Sequence, residues 1–496
     1  MGPDAALGTV LQAEGEGRKA LDMSGVFAAL TQPGSIFMGE YWQRRPCFTD
    51  APIPCLARGF TMDDVEAAVA KEFLLAGRGF FDEERQGGWK MAMVGQARGS
   101  SFEDAKLRPE DVRAALAKRS GTVVFNSIDG NVAPLAAVSL QAVEAFRVPV
   151  ALNMYLTAPG QQTSAPPHTD KQDVFVLQTQ GKKRWRVYAP PVPAAKPGPD
   201  PFARGKDQDV LALEELGPPL IDTVLGPGQL LYMPAGFPHT TDTVVGIAAG
   251  EKDASVHLTL GVDMLIWGLT HATLRDYVLY RLDPKGFTPH TPPPATATDV
   301  GAFVRYHGQL PLGAREPPGL VESLGAQPRW SQIRKALAAH VQAEFLEVMR
   351  AVEPESPLWG QAEPPTGNLA AALQETIERV VDHHRVLTAC FRDMYSDVAH
   401  GLTDVPRDLG FFRSQPYYAR IEKQMAALVE WAAPPSAGGG PGAVAAASPV
   451  PMASEGDGGG GGGDKGGFGG GGGGGSTKGG FGGGGGGAKK GGKKKK

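Results

Sequence analysis

Six short runs of β-forming residues lie between residues 121 and 265, and they set the strongest limit on the fold. The runs are TVVFNS, VALNMYL, DVFVLQT, KRWRVYA, QLLYMPA and SVHLTLGVD, separated by clusters of Gly and Pro such as APPVPAAKPGPDP. Many short strands broken by such turns are typical of a β-sandwich or a β-barrel. The sequence therefore predicts a mainly β domain with its core at 121–265.

The flanking segments have other patterns. Residues 24–120 mix turns with helical stretches, and Thr61 and Asp64 have the spacing of a capping box that opens the helix MDDVEAAVAKEFLL. After Asp263, apolar residues recur at helical spacing in WSQIRKALAAHVQAEFLEVMRAV, NLAAALQETIERVVDHHRVLTACF and YYARIEKQMAALVEWAA. We predict a flexible N-terminus at 1–23, a single region at 24–265 whose β-rich core is 121–265, a helical region at 266–435 and a tail at 436–496.

The tail has an extreme composition. About half of its residues are Gly, it ends in AKKGGKKKK, and it holds eight Lys and three acidic residues, so its net charge is +5 in a chain of net charge −4. Such a segment cannot bury enough apolar surface to form a core, which predicts disorder. The lysines are suited to RNA or DNA phosphates, or to a nuclear address. A solvated tail with no specific partner is the open alternative.

Cysteine usage and the N-terminus bear on the compartment. The three cysteines, Cys47, Cys55 and Cys390, lack zinc-ligand spacing and are too few for a disulfide framework, which indicates a reducing compartment. The N-terminal MGPDAALGTVLQAEGEGRK has no apolar core of a signal peptide, and no apolar run approaches the roughly 18 residues of a membrane span. We expect an intracellular protein, in the nucleus or nucleolus or else in the cytoplasm.

His168 and Asp170, in PPHTDKQDVF, form a candidate metal-binding pair. Residues i and i+2 of a strand point to the same face, so the imidazole and the carboxylate are expected side by side. His239, which follows a Pro-Gly turn in LLYMPAGFPHTT, offers a third ligand from a neighbouring strand. Two histidines and one carboxylate are the facial triad of non-haem Fe(II) oxygenases, which keeps coordination positions open.

The next strand, GKKRWRVY, carries a candidate anion-binding residue. Its alternation places Lys183 on the inward, apolar face with Trp185, whereas Lys182 points outward. A buried lysine is costly unless an anion meets it, and a dicarboxylate reaching from the metal would be one. Tyr155, in VALNMYL, is placed to donate its hydroxyl to the same carboxylate. The alternative is that Lys183 extends its ammonium group out of the core and that Tyr155 only packs.

These segments resemble a known family. The span from about Ser24 to Trp267 is similar to JmjC-type, cupin-fold 2-oxoglutarate oxygenases, in particular to the ribosomal oxygenases that hydroxylate histidines in ribosomal proteins. The similarity rests on FMGEYWQRRPCF, NMYLTAPGQQTSAPPHTD, DVFVLQTQGKKRW, LYMPAGFPHTT and SVHLTLGVD. It implies a double-stranded β-helix, or jelly-roll, followed by a helical dimerisation region.

The resemblance also implies roles for single residues. The iron ligands fall on His168, Asp170 and His239; Lys183 and Tyr155 fall on the residues that bind 2-oxoglutarate. Asn153 and His257 are two further candidates for the cofactor pocket, and a hydrogen-bonded core histidine is an equal interpretation of His257. The implied cofactors are Fe(II), 2-oxoglutarate and O2.

The expected function is therefore hydroxylation of a histidine in a ribosomal protein, with histone lysine demethylation by the same chemistry as the first alternative. A cupin enzyme that does not use 2-oxoglutarate is a second alternative, although such enzymes usually have a His-x-His set and Asp170 counts against it. A non-catalytic adaptor of chromatin or ribosomes is a third, against which the complete set of candidate ligands counts. The expected partner is a ribosomal protein or a histone, with a homodimer and RNA or DNA contact as further expectations.

Overall fold

The computed structural model describes most of the chain up to His400. The described residues are 3–57, 59–71, 91–94, 108–117, 122–125, 128–130, 132–190, 204–205, 211–245, 253–283, 304–361, 363–400 and the single residues 419, 420, 423 and 427. No helix within these ranges is long and apolar enough to cross a membrane.

Helices flank a β-rich centre. The helices are α1 (Pro3–Gly15), α2 (Ser24–Thr31), α3 (Pro54–Ala57), α4 (Met62–Ala70), α5 (Pro109–Ala117), α6 (Ala133–Phe146), α7 (His271–Leu282), α8 (Trp330–Val352) and α9 (Gly367–His400). The strands are β1 (Cys47–Phe48), β2 (Met91–Val94), β3 (Thr122–Phe125), β4 (Val150–Thr157), β5 (Ala165–His168), β6 (Asp173–Gln180), β7 (Lys183–Val187), β8 (Ile221–Leu225), β9 (Leu230–Met233), β10 (His239–Asp242) and β11 (Ser255–Val262).

The strands form two sheets. The larger has the order β1-β9-β6-β11-β4-β3-β2, and the smaller has the order β5-β10-β7-β8. Every pairing is antiparallel except that of β2 with β3. This arrangement confirms the predicted cupin-type fold, a two-sheet β domain followed by a helical region.

One face of the larger sheet is covered by helices. Leu258 of β11 and Phe175 of β6 belong to the large apolar core on that face. The ring of Phe146, at the end of α6, lies 5.3 Å from that of Phe175, and Trp42 stacks on Phe146 at 5.3 Å. Because strand side chains alternate between faces, the opposite set of residues on β6, β9, β4 and β11 is left to face the smaller sheet.

A second apolar core lies between the two sheets. It joins residues of β6 and β9 to residues of β7 and β8, and its members are Val174, Val176, Trp185, Val187, Ile221, Leu225, Leu231, Met233 and Phe237. On β4 and β11 most of the corresponding alternate positions are polar, and they include Asn153, Thr157, Ser255, His257 and Thr259, all buried. The interior between the sheets is therefore apolar at one end and polar at the other.

The long helix α9 attaches the helical region to the β domain through buried polar contacts. His383 Nε2 donates to the carbonyl of Trp267 at 2.8 Å and His384 Nε2 to that of Arg147 at 2.7 Å. Tyr395 donates to the carbonyl of Val150 at 2.6 Å. Burial lowers the pKa of both histidines to about 4, so their rings are neutral.

The described elements agree with much of the pattern in the sequence. All six predicted β runs contain a strand, the two predicted helices at 330–352 and 368–391 are present, and the capping box at Thr61 has its backbone bond to Asp64 at 2.8 Å. Most of the third predicted helix, 417–433, and all of the tail lie outside the described residues.

Two segments differ from the expectation. Residues 3–15, within the segment predicted to be flexible, form a helix that buries Leu7 and Leu11. The helix α6 interrupts the predicted β core, and its buried residues pack under the larger sheet. In both places apolar residues at helical spacing meet a partner surface from a distant part of the chain, which decides the structure.

Candidate metal centre

His168, Asp170 and His239 lie together at one edge of the smaller sheet. His168 ends β5, Asp170 follows two residues later, and His239 opens β10, directly paired with His168. Their ligand atoms all lie within 4.8 Å of one another, and His239 Nε2 is 3.5 Å from Asp170 Oδ2. In the part of the chain that the structure describes, this is the one His, Cys, Asp and Glu group compact enough to share a metal ion.

The backbone fixes the tautomer of both imidazoles. His168 Nδ1 is 2.7 Å from the Pro166 carbonyl, and His239 Nδ1 is 3.1 Å from the Phe237 carbonyl. A carbonyl oxygen only accepts, so each Nδ1 carries the proton and each Nε2 presents its lone pair. This is the arrangement in which a neutral histidine binds a metal, with its other ring nitrogen held in place.

The end of β5 is shaped by contacts outside the sheet. The prediction placed Asp170 inside a strand, but the strand ends at His168 because Thr169 donates its N–H to the Arg204 carbonyl at 3.0 Å and accepts the Arg204 N–H at 2.9 Å. Gly205 has a φ of +73°, and a Cβ there would collide with the Pro167 carbonyl. Residues 204–205 thus lie against the segment that carries His168. Only glycine at position 205 permits so close an approach.

Lys183 is buried on the inner face of β7, as the alternation predicts. It is 2% exposed, like its neighbour on that face, Trp185, at 4%. Its ammonium group donates to Thr157 Oγ1 on β4 at 3.3 Å and lies 5.6 Å from the Trp185 ring. The outward Arg184 instead forms an exposed ion pair with Asp222 at 2.6 Å. Lys183 therefore stays inside and does not extend to solvent.

Lys183 and the metal centre share one face of the smaller sheet. His239 pairs directly with Val187 of β7, and directly paired residues in an antiparallel ladder project to the same side. Lys183 lies four residues along β7 from Val187, which is about 13 Å of strand. Trp185 stands between them, with its ring 6.0 Å from that of His239. An anion lying along β7 can therefore meet the lysine at one end and the triad at the other.

Tyr155 and His257 form a stacked pair opposite this strand. They are directly paired on β4 and β11, and their rings are 5.0 Å apart and nearly parallel. The His257 ring also meets Trp185 edge-on at 5.4 Å. Burial and the charge of Lys183 hold the pKa of His257 well below its ordinary value, so this ring is neutral.

Asn153 lies two residues before Tyr155 on the same face of β4 and is buried, opposite Thr259 of β11. The sequence reasoning missed Thr157 and gave Trp185 no role. Both continue the period-two pattern that already singled out Tyr155 and Lys183, so that pattern was the signal that could have found them.

The donor set fits a divalent metal ion and an anionic ligand. Two neutral imidazoles and one carboxylate leave a divalent ion with a net positive charge, and three ligands leave coordination positions open. Trp185 Nε1 and His257 Nδ1 are buried with no hydrogen-bond partner among the described residues. Buried polar atoms of this kind usually have a partner, so the polar end is built to receive a polar ligand.

Comparison with known proteins gives the class first. Residues 134–265 match the family model of the JmjC domain, and this span contains the triad, Lys183 and every strand from β4 to β11. Residues 134–265 are therefore similar to a JmjC domain, which confirms over this span the resemblance seen in the sequence.

Particular relatives follow from the same comparison. The chain is 29% identical over 243 residues to ribosomal oxygenase 2 of Rattus norvegicus, covering 48% of this chain and 47% of that protein. It is 42% identical over 118 residues to the bifunctional lysine-specific demethylase and histidyl-hydroxylase NO66 of Drosophila persimilis, covering 24% and 15%. The chain thus matches less than half of the length of either relative. Among solved structures, YcfD, a ribosomal oxygenase from Escherichia coli, aligns with a TM-score of 0.30 at 17% identity, over 72% of this chain and 96% of that one.

Proposed function

We propose that this protein is an Fe(II)- and 2-oxoglutarate-dependent protein oxygenase that hydroxylates a histidine in a ribosomal protein. The observation that carries the proposal is the triad of His168, Asp170 and His239, with both imidazole tautomers set for metal binding, on the same inner face as the buried Lys183. In such a reaction one oxygen atom of O2 enters a C–H bond of the substrate and the other enters succinate, with loss of CO2.

The roles of the residues follow from their positions. His168, Asp170 and His239 would hold Fe(II), which supplies the activation of O2. Lys183 and Thr157 would bind the distal carboxylate of 2-oxoglutarate through charge-assisted and neutral hydrogen bonds. Trp185 and Val187, both buried, would exclude water from the space between the lysine and the triad. Tyr155, Asn153 and His257 would line the same pocket from the larger sheet.

The names of the relatives support a protein substrate, and they support two reactions on it. One relative is a ribosomal oxygenase, and the other is named both a histidyl-hydroxylase and a lysine demethylase. We propose histidine hydroxylation first and histone lysine demethylation second. The products differ, because hydroxylation adds one oxygen atom to a stable histidine, whereas oxidation of an N-methyl group releases formaldehyde.

The test is incubation of the purified protein with Fe(II), 2-oxoglutarate and O2 in the presence of a ribosomal extract or of methylated histone peptides. We expect the wild-type protein to form succinate and to produce ribosomal histidine peptides heavier by one oxygen atom. Neither product should form with the Asp170→Ala variant. Release of formaldehyde and loss of methyl groups from histone peptides, without any oxidised histidine, would favour demethylation over histidine hydroxylation. A lack of succinate with either substrate would contradict the oxygenase assignment.

We further propose that the Lys-rich tail contacts RNA, that the protein works in the nucleus or nucleolus, and that the helical region supports a homodimer. The support for the first two is the charge of residues 436–496. Polyanion binding through lysines weakens with salt by a log–log slope of about −0.7 to −0.9 per phosphate neutralised. Full-length protein and a form lacking residues 436–496 should therefore differ in RNA binding at low salt and converge at high salt. If the two forms bound RNA equally at low salt and had the same location in the cell, the tail would have no specific partner.

A further inference from the structure

The turn between β9 and β10 contacts two of the three candidate ligands. This turn, Pro234–Phe237, is called the ligand turn below; Gly236 has a φ of +79°, as the third position of a type II turn requires. The Gly236 N–H donates to the main-chain carbonyl of Asp170 at 2.9 Å. The carbonyl of Phe237 accepts the Nδ1–H of His239 at 3.1 Å. Movement of this turn would therefore change the position of Asp170 relative to His239.

A buried carboxylate anchors the ligand turn. Asp173, at the start of β6, is 3% exposed, and its Oδ1 accepts the main-chain N–H of Ala235 at 3.0 Å. Its Oδ2 accepts from the side-chain amide of Gln43 at 2.7 Å. Burial raises the pKa of Asp173 to about 6, against the opposing effect of these hydrogen bonds. A buried carboxylate of this kind costs stability, which indicates a role for Asp173 beyond packing.

Gln43 ties the same carboxylate to a distant part of the chain. It adopts a φ of +53°, a left-handed backbone conformation that residues other than Gly, Asn and Asp rarely adopt. Its N–H donates to the hydroxyl of Tyr232 at 2.8 Å, and its side-chain oxygen accepts the N–H of Gln309 at 2.8 Å. Both ends of the Gln43 side chain are thus used, and its amide orientation toward Asp173 is fixed.

We propose that Asp173 is a positioning residue for the metal centre, which it serves by holding the ligand turn in place with the help of Gln43. The inference rests on the proposed function, because it takes the triad as the metal site. Asp173 does not reach the metal; it acts through the two contacts that the ligand turn makes with Asp170 and His239. The Gln43 bond then orients Asp173 so that its other oxygen meets Ala235.

The test is Co(II) binding, followed by visible absorption and by titration, in the purified full-length protein. Asp173→Ala should weaken Co(II) binding by about 10-fold, the lower end of the range for residues that orient metal ligands, and should alter the Co(II) spectrum. Asp173→Asn keeps one acceptor for Ala235 but presents an amide N–H to that of Gln43, so a smaller loss is expected. Gln43→Asn places a residue that tolerates the left-handed backbone but is too short to reach Asp173. This variant should also bind Co(II) more weakly than the wild-type protein.

Asp129→Asn is the matched control. Asp129 is also fully buried, its pKa is likewise raised by burial to about 6, and its carboxylate is bonded to Ser139 of α6 at 2.7 Å, away from the ligand turn. The Asp129→Asn substitution should lower the melting temperature without changing the Co(II) affinity or the Co(II) spectrum. If Asp173→Asn and Gln43→Asn lowered only the melting temperature, as Asp129→Asn does, the positioning role would be overturned while the metal site stood. Wild-type protein that bound no Co(II) would overturn the metal site itself.

Discussion

The two ends of the space between the sheets lie between the same two sheets and have opposite chemistry. At one end Val176 and Leu231 are fully buried in an apolar cluster. At the other end Lys183 and His257 are just as deeply buried. Full burial of a Val or Leu side chain stabilises the fold by roughly 1.5–3 kcal/mol, whereas burial of charged and polar groups costs free energy unless partners compensate.

The apolar end compensates for the cost of the polar end. The apolar cluster, together with the larger core under the helices, stabilises both sheets, so that β5, β10 and the inner faces of β4 and β11 are free to carry polar groups. Departures from local rules of this kind are expected where a fold carries a site. Substitutions at the apolar end should therefore reduce stability, and substitutions at the polar end should reduce ligand binding.

The largest expected effect is at the triad. Asp170→Ala should abolish metal-dependent formation of succinate from 2-oxoglutarate with little change in melting temperature, because Asp170 is a partly exposed candidate ligand beyond the end of β5 and does not pack in a core. Succinate release and thermal unfolding of the purified variant measure the two effects. Undiminished succinate production would remove the triad assignment.

The next effect is at the apolar end. Leu231→Ala should lower the free energy of unfolding by about 2–5 kcal/mol, since it leaves a cavity in a fully packed cluster. Denaturant unfolding gives this value, and the concentration of 2-oxoglutarate for half-maximal succinate production should stay within about twofold. A strong rise in that concentration with little loss of stability would show that the two ends are not separate in function.

A smaller effect is expected at the other end of the same interior. Lys183→Ala should raise the 2-oxoglutarate requirement by roughly 10- to 150-fold, which corresponds to about 1.5–3 kcal/mol for a hydrogen bond to a charged group. Lys182→Ala is the control, because that residue precedes β7 and is not on its inner face. Equal effects of the two substitutions would mean that the carboxylate does not meet Lys183.

The sequence predicted the long, regular elements and the inward phase of β7, because alternation in KRWRV leaves one choice of face for Lys183. The six β-forming runs leave out β5 and β10, whose sequences APPH and HTTD have few β-forming apolar residues; strands were expected there only because of the candidate ligands His168 and His239, and the two segments form strands by pairing with each other. The sequence also could not reveal the bonds of Asp173 to Gln43 and Ala235. Those contacts join segments 130 and 62 residues apart, and no local pattern encodes them.

A weaker effect is expected from a buried histidine outside the β domain. His384 is buried like His257, but its Nε2–H is bonded to the Arg147 carbonyl, and burial lowers its pKa to about 4. The unfolded chain therefore binds a proton near pH 6.5 that the folded chain does not bind until about pH 4. The stability contributed by neutral His384 is complete above pH 6.5 and is lost as the pH falls toward 4.

We expect His384→Gln, whose amide can still donate to Arg147, to reduce the fall in unfolding free energy between pH 6.5 and 4, by at most about 1.4 kcal/mol per pH unit. Denaturant unfolding at several pH values measures this slope. The exposed His400, at the end of α9, is the control, and His400→Gln should leave the slope unchanged. If His384→Gln left it unchanged as well, acid sensitivity in this window would lie elsewhere, and His383, whose pKa burial also lowers to about 4, would be the next position to substitute.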